Sequence, residues 1–173
     1  MRTIKNLGLA IVLAVTTIFT SCSSSDGDGG GGGNAALGTI TAKVGGASFT
    51  SMSAATAATH QSTMLIIQGS DATGKAIQLM LSGVTAAGTY EISNTAGISV
   101  IANYTEVNVS NPMASQAWAA PYENSGVAGS ITITSLTDTN VQGTFNFTGK
   151  NQNGTDTKAV TDGSFNVNFQ QGN

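Results

Sequence analysis

Few residues in this chain could carry out catalysis or bind a metal. His60 is the only histidine and Cys22 the only cysteine, so the usual zinc sites of His and Cys ligands cannot be assembled. A serine nucleophile would need His60 as its base, and no Gly-x-Ser-x-Gly elbow occurs. His60 follows a predicted loop and is expected at the surface.

Paired carboxylates could hydrolyse a glycosidic bond, but the positions of the aspartates favour another role. Four of them fall in or beside predicted turns: Asp71, Asp138, Asp156 and Asp162. Aspartate is favoured in turns because its side chain hydrogen-bonds the nearby backbone. We therefore predict no catalytic residue, no metal site and no cofactor, and a hydrolase is the least favoured class.

Two aromatic residues near the prolines could bind a ligand. Residues 111–123 are predicted to form the longest irregular stretch, which holds both prolines and the only tryptophan. On a loop, Trp118 and Tyr122 could stack on sugar rings or anchor a protein contact, because aromatic side chains offer a large contact area for little ordering cost. In the alternative interpretation, Trp118 folds back and plugs an open end of the domain.

Cys22 follows a segment that is typical of an export signal. Two positive residues precede an uncharged, mostly apolar run over residues 7–19, which is shorter than the roughly 20 residues that cross a bilayer. The residues Phe19-Thr20-Ser21-Cys22 resemble the bacterial lipobox, with Phe19 where leucine is usual. This resemblance implies cleavage before Cys22 and a diacylglyceryl group on its sulfur. The alternatives are a secreted protein with a free thiol and an uncleaved anchor helix.

The sequence divides into three parts. We predict a signal peptide over residues 1–21, a lipidated cysteine with a flexible tether over 22–34, and one β domain over 35–173. The tether after Cys22 contains only Ser, Gly, Asp and Asn, none of which buries apolar area. Its short acidic tract resembles the surface-export signal of lipoproteins from Bacteroidetes-type bacteria. The alternative is a plain spacer that faces the periplasm.

The charge of the chain excludes nucleic acid as a partner. The formal net charge is −3, so there is no cationic surface to displace the counterions of phosphates. The four lysines after the predicted signal peptide are scattered along the sequence: Lys43, Lys75, Lys150 and Lys158. We therefore expect no electrostatic attraction to anionic lipid, and the predicted membrane contact is through the acyl chains on Cys22.

From residue 35 onward, apolar and polar residues alternate, which is typical of strands with one buried face. Ile131-Thr132-Ile133, Phe145-Asn146-Phe147 and Phe165-Asn166-Val167 are examples. The pattern predicts nine or ten strands, near residues 38–44, 47–53, 62–69, 75–82, 88–93, 97–104, 105–110, 128–136, 140–149 and 157–170. Residues 54–58 could form a helical turn, a loop or a strand edge. The fold class is all-β, a single antiparallel β-sandwich, with a small closed β-barrel as the alternative.

A short motif recurs within this pattern. Gly-[Ser/Thr]-apolar-x-apolar begins at four positions: Gly88, Gly129, Gly143 and Gly163. The spacings between the copies are unequal, which excludes a solenoid or a propeller. We predict that each glycine permits a bend or bulge where the chain enters a strand, followed by two core residues.

Three segments resemble a family of unknown function. They are residues 40–49, residues 87–90 and the closing pair 143–147 with 161–167. Members of this family share an early Gly-x-x-Phe or Gly-x-x-Trp strand and a closing Gly-Thr-Phe … Gly-x-Phe hairpin. The resemblance covers residues 35–169. It implies a β-sandwich-like module on the lipid anchor of small lipoproteins from Bacteroidetes-type bacteria, and it implies no catalytic residues.

Together these features predict a lipid-anchored protein of the cell outer membrane. Its β domain would bind a glycan or an envelope protein, either on the cell surface or in the periplasm. In the alternative, the domain is a structural or accessory subunit of an envelope complex. The sequence does not identify the ligand.

Overall fold

The computed structural model describes residues 34–170, so the predicted signal peptide, Cys22 and nearly all of the predicted tether lie outside the described residues. The strands are β1 (Thr39–Val44), β2 (Ala47–Thr50), β3 (Thr56–Gln61), β4 (Met64–Ser70), β5 (Lys75–Ser82), β6 (Gly88–Ser93), β7 (Ser99–Glu106), β8 (Gln116–Ala120), β9 (Val127–Leu136), β10 (Asn140–Asn151) and β11 (Thr157–Asn168). Two 3-10 turns, Ser53–Ala55 and Pro112–Ala114, precede β3 and β8. Among these residues no helix has the length and apolar character needed to cross a membrane.

The strands form one curled antiparallel sheet in the order β2-β1-β11-β10-β8-β7-β5-β4-β3. β10 has two partners on one side, because its longer first part pairs with β9 and its last two residues pair with β8. β6 continues the sheet beyond β9. The curl brings β3 back to the end of β11, where the N–H of Gln170 donates to the carbonyl of Ala58 at 2.9 Å. The predicted all-β antiparallel class is confirmed, and this curled sheet fits either a sandwich or a barrel.

The predicted alternation is confirmed in the core, which lies on the inner face of the curl. The apolar members of the three quoted segments are all buried: Ile131, Ile133, Phe145, Phe147, Phe165 and Val167. The rings of Phe145 and Phe165 stack with their centroids 6.3 Å apart. Each fully buried side chain of this size contributes roughly 1.5–3 kcal/mol, so this face is the main source of stability. The outer face carries polar residues such as Thr41 and Ser164, whose hydroxyl oxygens lie 2.8 Å apart.

Three segments of the chain have to be compared with the sequence-based prediction. Residues 54–58, which the sequence left open, are divided between the first 3-10 turn and β3. The predicted irregular stretch 111–123 contains β8, which is a strand because Trp118 pairs with Tyr104 of β7. The strand predicted over 105–110 is wrong. β7 ends at Glu106 opposite the first residue of β5, and beyond that point the chain has no strand to pair with.

Three of the four motif glycines lie at irregular points of the strand pairing, as predicted for bulges. The register shifts beside Gly143 in the β9–β10 pair, at Gly163 in the β10–β11 pair and beyond Gly129 in the β6–β9 pair. These three lie inside strands rather than at strand entries. At Gly143 a Cβ atom would lie 2.1 Å from the carbonyl oxygen of Thr132, so no other residue fits there. Gly88 begins β6, where an added Cβ would make only ordinary contact with the Tyr90 ring, at 3.9 Å.

Candidate functional site

One end of the sheet collects all four lysines of residues 34–170. β10 ends and β11 begins there, and Lys150 and Lys158 lie in these two strand ends. Lys75 is the first residue of β5, and Lys43 lies beside β11 near the end of β1. We call this region the lysine end. It comprises the four lysines, the loop 107–115 and the turn 152–156.

Acidic side chains accompany the lysines, so the lysine end is a mixed surface rather than a basic patch. Lys43 Nζ lies 3.3 Å from Asp162 Oδ2, and Lys158 Nζ lies 2.7 Å from Glu106 Oε1. This grouping could not be predicted from the sequence, because the lysines are far apart along the chain and only the strand order β1-β11-β10-β8-β7-β5 brings them together.

Lys158 is held from two sides. Its ammonium group donates to Glu106 Oε1, which also accepts a hydrogen bond from the Tyr104 hydroxyl at 2.8 Å. The same ammonium lies 3.6 Å above the centroid of the Trp118 ring, and such a cation–π contact contributes about 0.5–2 kcal/mol. The Tyr104 and Trp118 rings come from neighbouring strands, with their centroids 5.7 Å apart. Two buried rings therefore support one charged pair at the edge of the core.

The turn between β10 and β11 is fixed by Asp156. Trp118 donates its Nε1–H to Asp156 Oδ2 at 2.8 Å, and Asn151 donates its Nδ2–H to Asp156 Oδ1 at 2.9 Å. Asn151 also donates to Gln116 Oε1 at 3.1 Å. Because Trp118 contacts both Asp156 and Lys158, one side chain links the turn to the charged pair.

The carboxylates of this network are ionised at neutral pH. Partial burial alone would raise the pKa of Glu106, but hydrogen bonds from Lys158 and Tyr104 and the nearby positive charge outweigh burial and lower it. The hydrogen bond from Trp118, with a further one from Asn151, lowers the pKa of Asp156. Burial, together with the hydrogen bond to Glu106, raises the pKa of Tyr104. These groups therefore hold charges and hydrogen bonds in place at pH 7 rather than offering a proton.

An open groove of about 740 Å³ lies over this network. Its floor includes Glu106, Asp156 and the two lysines Lys75 and Lys158, and the loop 107–115 forms its rim. The loop exposes apolar side chains: 49% of Val107, 83% of Val109 and 94% of Met113. A second depression, of about 440 Å³, lies over β4, β5 and β7 and is lined by uncharged residues. Of these two, it is the first groove that combines fixed charges with exposed apolar groups.

The two aromatic residues singled out by the sequence occupy different surroundings. Trp118 lies in β8 with only 3% of its surface exposed, under Lys158, so its ring has no free face for a sugar. Tyr122 follows β8, is half-buried and does not line the groove; its carbonyl accepts a hydrogen bond from Asn94. Cys22, the predicted lipidation site, lies outside the described residues.

His60 is half-buried in β3, not a surface residue as expected. It lies opposite Leu65, a fully buried residue, and its ring is 5.6 Å from that of Phe169. Its Nε2 is buried without a hydrogen-bond partner among the described residues. In the same part of the chain, no three His, Cys, Asp or Glu side chains come together as a potential metal site.

The fold and the lysine end together describe a β domain with one charged, partly apolar end. The chain belongs to the family of the domain of unknown function DUF6252, whose family model matches residues 38–167. This match lies within the predicted domain of residues 35–173. Comparisons with the curated proteins and with the solved structures gave no match.

Proposed function

We propose that this protein is a lipid-anchored protein of the cell envelope whose β domain binds a partner at the lysine end. The observation that carries the binding proposal is the groove under the loop 107–115. Its floor holds charged groups already fixed by hydrogen bonds, while Val107 and Val109 on the rim expose apolar surface to solvent. Apolar side chains exposed beside ordered polar groups are typical of a surface that becomes buried in a complex.

Binding fits the chemistry of the groove better than catalysis does. Glu106 and Asp156 both accept hydrogen bonds from neighbouring side chains, and the pKa of each carboxyl is lowered. A general acid needs a raised pKa near the working pH. The same groups, held ionised in a fixed geometry, suit the recognition of charged or hydrogen-bonding groups on a partner.

The proposed location rests on the N-terminal sequence. The apolar run, the lipobox-like residues 19–22 and the tether that follows support export and attachment of lipid to Cys22. A single acyl chain binds a membrane only marginally, whereas two or more chains give stable anchoring. We propose the outer membrane as the site of attachment and a position on the cell surface for the domain, which the acidic tract of the tether favours.

Attachment of lipid is tested by growing cells with a labelled fatty-acid analogue. The full-length protein should carry the label and sediment with membranes, and Cys22→Ala should lose both properties, because the thiol is the proposed attachment atom. The matched control is Ser23→Ala, which leaves the cysteine in place and should keep the label. Label on the Cys22→Ala protein would contradict the anchor.

Binding at the lysine end is tested with a photo-crosslinking amino acid in the full-length protein, in the cells that produce it. Placed at Val107 or Val109, it should give a discrete adduct after irradiation, because both side chains line the groove and are exposed. The control position is Thr134, an exposed residue of β9. Equal adduct formation from Thr134, or none from the rim, would count against binding at this end.

A further inference from the structure

The chain enters the domain at the end opposite the groove. Asn34 and its neighbours lie beside Asn166, whose side chain donates to the Ala35 carbonyl at 3.4 Å. The N–H of Gly38 donates to the Asn166 carbonyl at 2.7 Å. Lys158, under the groove, and Asn166 are eight positions apart in β11, which corresponds to about 26 Å. The tether therefore leaves from one end of the sheet and the groove opens at the other.

The charges follow the same division. All four lysines lie at the lysine end, and within residues 34–170 two of them form ion pairs, Lys43 with Asp162 and Lys158 with Glu106. Lys75 and Lys150 form none in that part of the chain. Only Lys75 of these two lines the groove. Lys150 pairs with Thr157 and Lys158 with Gly149, so Lys150 lies on the opposite face of the sheet from Lys158. The Lys75 ammonium is therefore the cation that a partner's carboxylate could pair with.

The apolar side chains at the lysine end indicate which of two ligand classes fits it better. The sequence left open a glycan or an envelope protein. Sugar recognition uses exposed aromatic faces, but the aromatic rings at the lysine end are buried: Trp118 is 3% and Tyr104 1% exposed. Aliphatic side chains are exposed instead, on Val107, Val109 and Met113. Exposed aliphatic side chains beside ionic groups fit a protein partner, whose surface offers apolar and charged groups together.

From these observations we infer that the lysine end docks a protein, and that it does so on the side of the domain facing away from the lipid anchor. The partner offers a carboxylate to Lys75 and an apolar contact to Val107 and Val109. This inference rests on the proposed function, since it specifies the partner class and the direction of that same groove.

The charge contacts are tested by the adduct from the photo-crosslinker at Val109. The variant Lys75→Gln should lower the adduct yield at least threefold and weaken its dependence on salt, because charges at an interface steer association. The matched control Lys150→Gln removes the same charge from the opposite face of the same end of the sheet and should leave the yield unchanged. An equal loss in both variants would overturn the role of Lys75.

The nature of the adduct tests the class of partner. Proteolysis of the adduct separates the peptide that holds the crosslinker from the lipidated N-terminus. A second peptide joined to the peptide around residue 109 supports a protein partner. Fatty-acid label on that peptide indicates membrane lipid, and a glycosidase-sensitive group on it indicates a glycan; either result would overturn the inference but leave binding at the groove intact. Absence of any adduct would overturn the proposed binding function itself.

The direction of the groove is tested with the lipidated protein in vesicles that contain a headgroup quencher. Lipid blocks Cys22, so a single added cysteine can be labelled with a fluorophore. At Thr139→Cys, at the same end of the sheet as the point where the chain enters the domain, quenching should be at least twofold stronger than at Asn108→Cys on the groove rim. Equal or reversed quenching would overturn the proposed direction.

Discussion

Replacing Gly143 by alanine is expected to destabilise the domain by about 3 kcal/mol or more, which is a large part of the 5–15 kcal/mol typical of native proteins. The new methyl group would lie 2.1 Å from the Thr132 carbonyl oxygen and 2.5 Å from the Phe165 ring. The carbonyl belongs to β9 and cannot move without breaking the β9–β10 pairing. Chemical denaturation should show a lower midpoint, and the melting temperature should fall by roughly 10 °C.

Gly88→Ala is the matched control, because it changes the same position of the same motif. Gly88 is exposed at the start of β6, and the nearest atoms to an added Cβ are those of the Tyr90 ring, at 3.9 Å. Its effect should stay within about 0.5 kcal/mol, as is usual for exposed sites. If both variants had similar stability, the close packing at Gly143 would not be a real constraint.

The contrast between these two glycines shows what the sequence could and could not predict about the fold. The motif correctly indicated irregular strand geometry followed by core residues, because both depend on local sequence. It could not separate Gly143 from Gly88, since the difference lies in which strand packs against each glycine. Thr132 contacts Gly143 only because β9 and β10 pair, and that pairing is a property of the whole sheet.

The same reasoning explains why β8 was missed and why a strand was wrongly predicted over residues 105–110. β8 has the sequence Gln-Ala-Trp-Ala-Ala, which carries little alternation, and its strand conformation comes from pairing with β7 and the end of β10. Residues 105–110 alternate well, yet the pairing ends at Glu106 because β5 begins at Lys75. Alternation identifies residues that suit a strand, whereas the length of a strand depends on its neighbours.

Less of the candidate site than of the fold could be predicted from the sequence. Lys75 and Lys158 are separated by most of the domain in sequence, and Glu106 lies between them without a motif around it. Asp156 was correctly placed in a turn, but its hydrogen bond to the Trp118 indole depends on β8 and β11 both flanking β10. Composition drew attention to Trp118, the only tryptophan, but the surroundings predicted for it were those of a loop, whereas it lies in β8.

Trp118→Ala is expected to destabilise the domain by about 3–5 kcal/mol, the usual cost of removing a buried large aromatic side chain. The change leaves a cavity beside Tyr104, removes the indole hydrogen bond to Asp156 and takes away the ring beneath Lys158. Tyr122→Ala, at the other aromatic position, should cost about 1 kcal/mol or less because Tyr122 is only half-buried. Circular dichroism during urea denaturation measures both.

Trp118→Phe separates the two contributions of the tryptophan to the groove. It keeps an aromatic face under Lys158 but removes the Nε1–H that fixes Asp156, so its loss of stability should be smaller than that of Trp118→Ala. If the ring acts by supporting Lys158, the crosslinking yield from Val109 should survive in Trp118→Phe under conditions where the variant is folded. A Trp118→Ala protein as stable as the wild type would contradict the buried position of the ring. If such a stable variant also lost binding, the loss would indicate that Trp118 contacts the ligand directly.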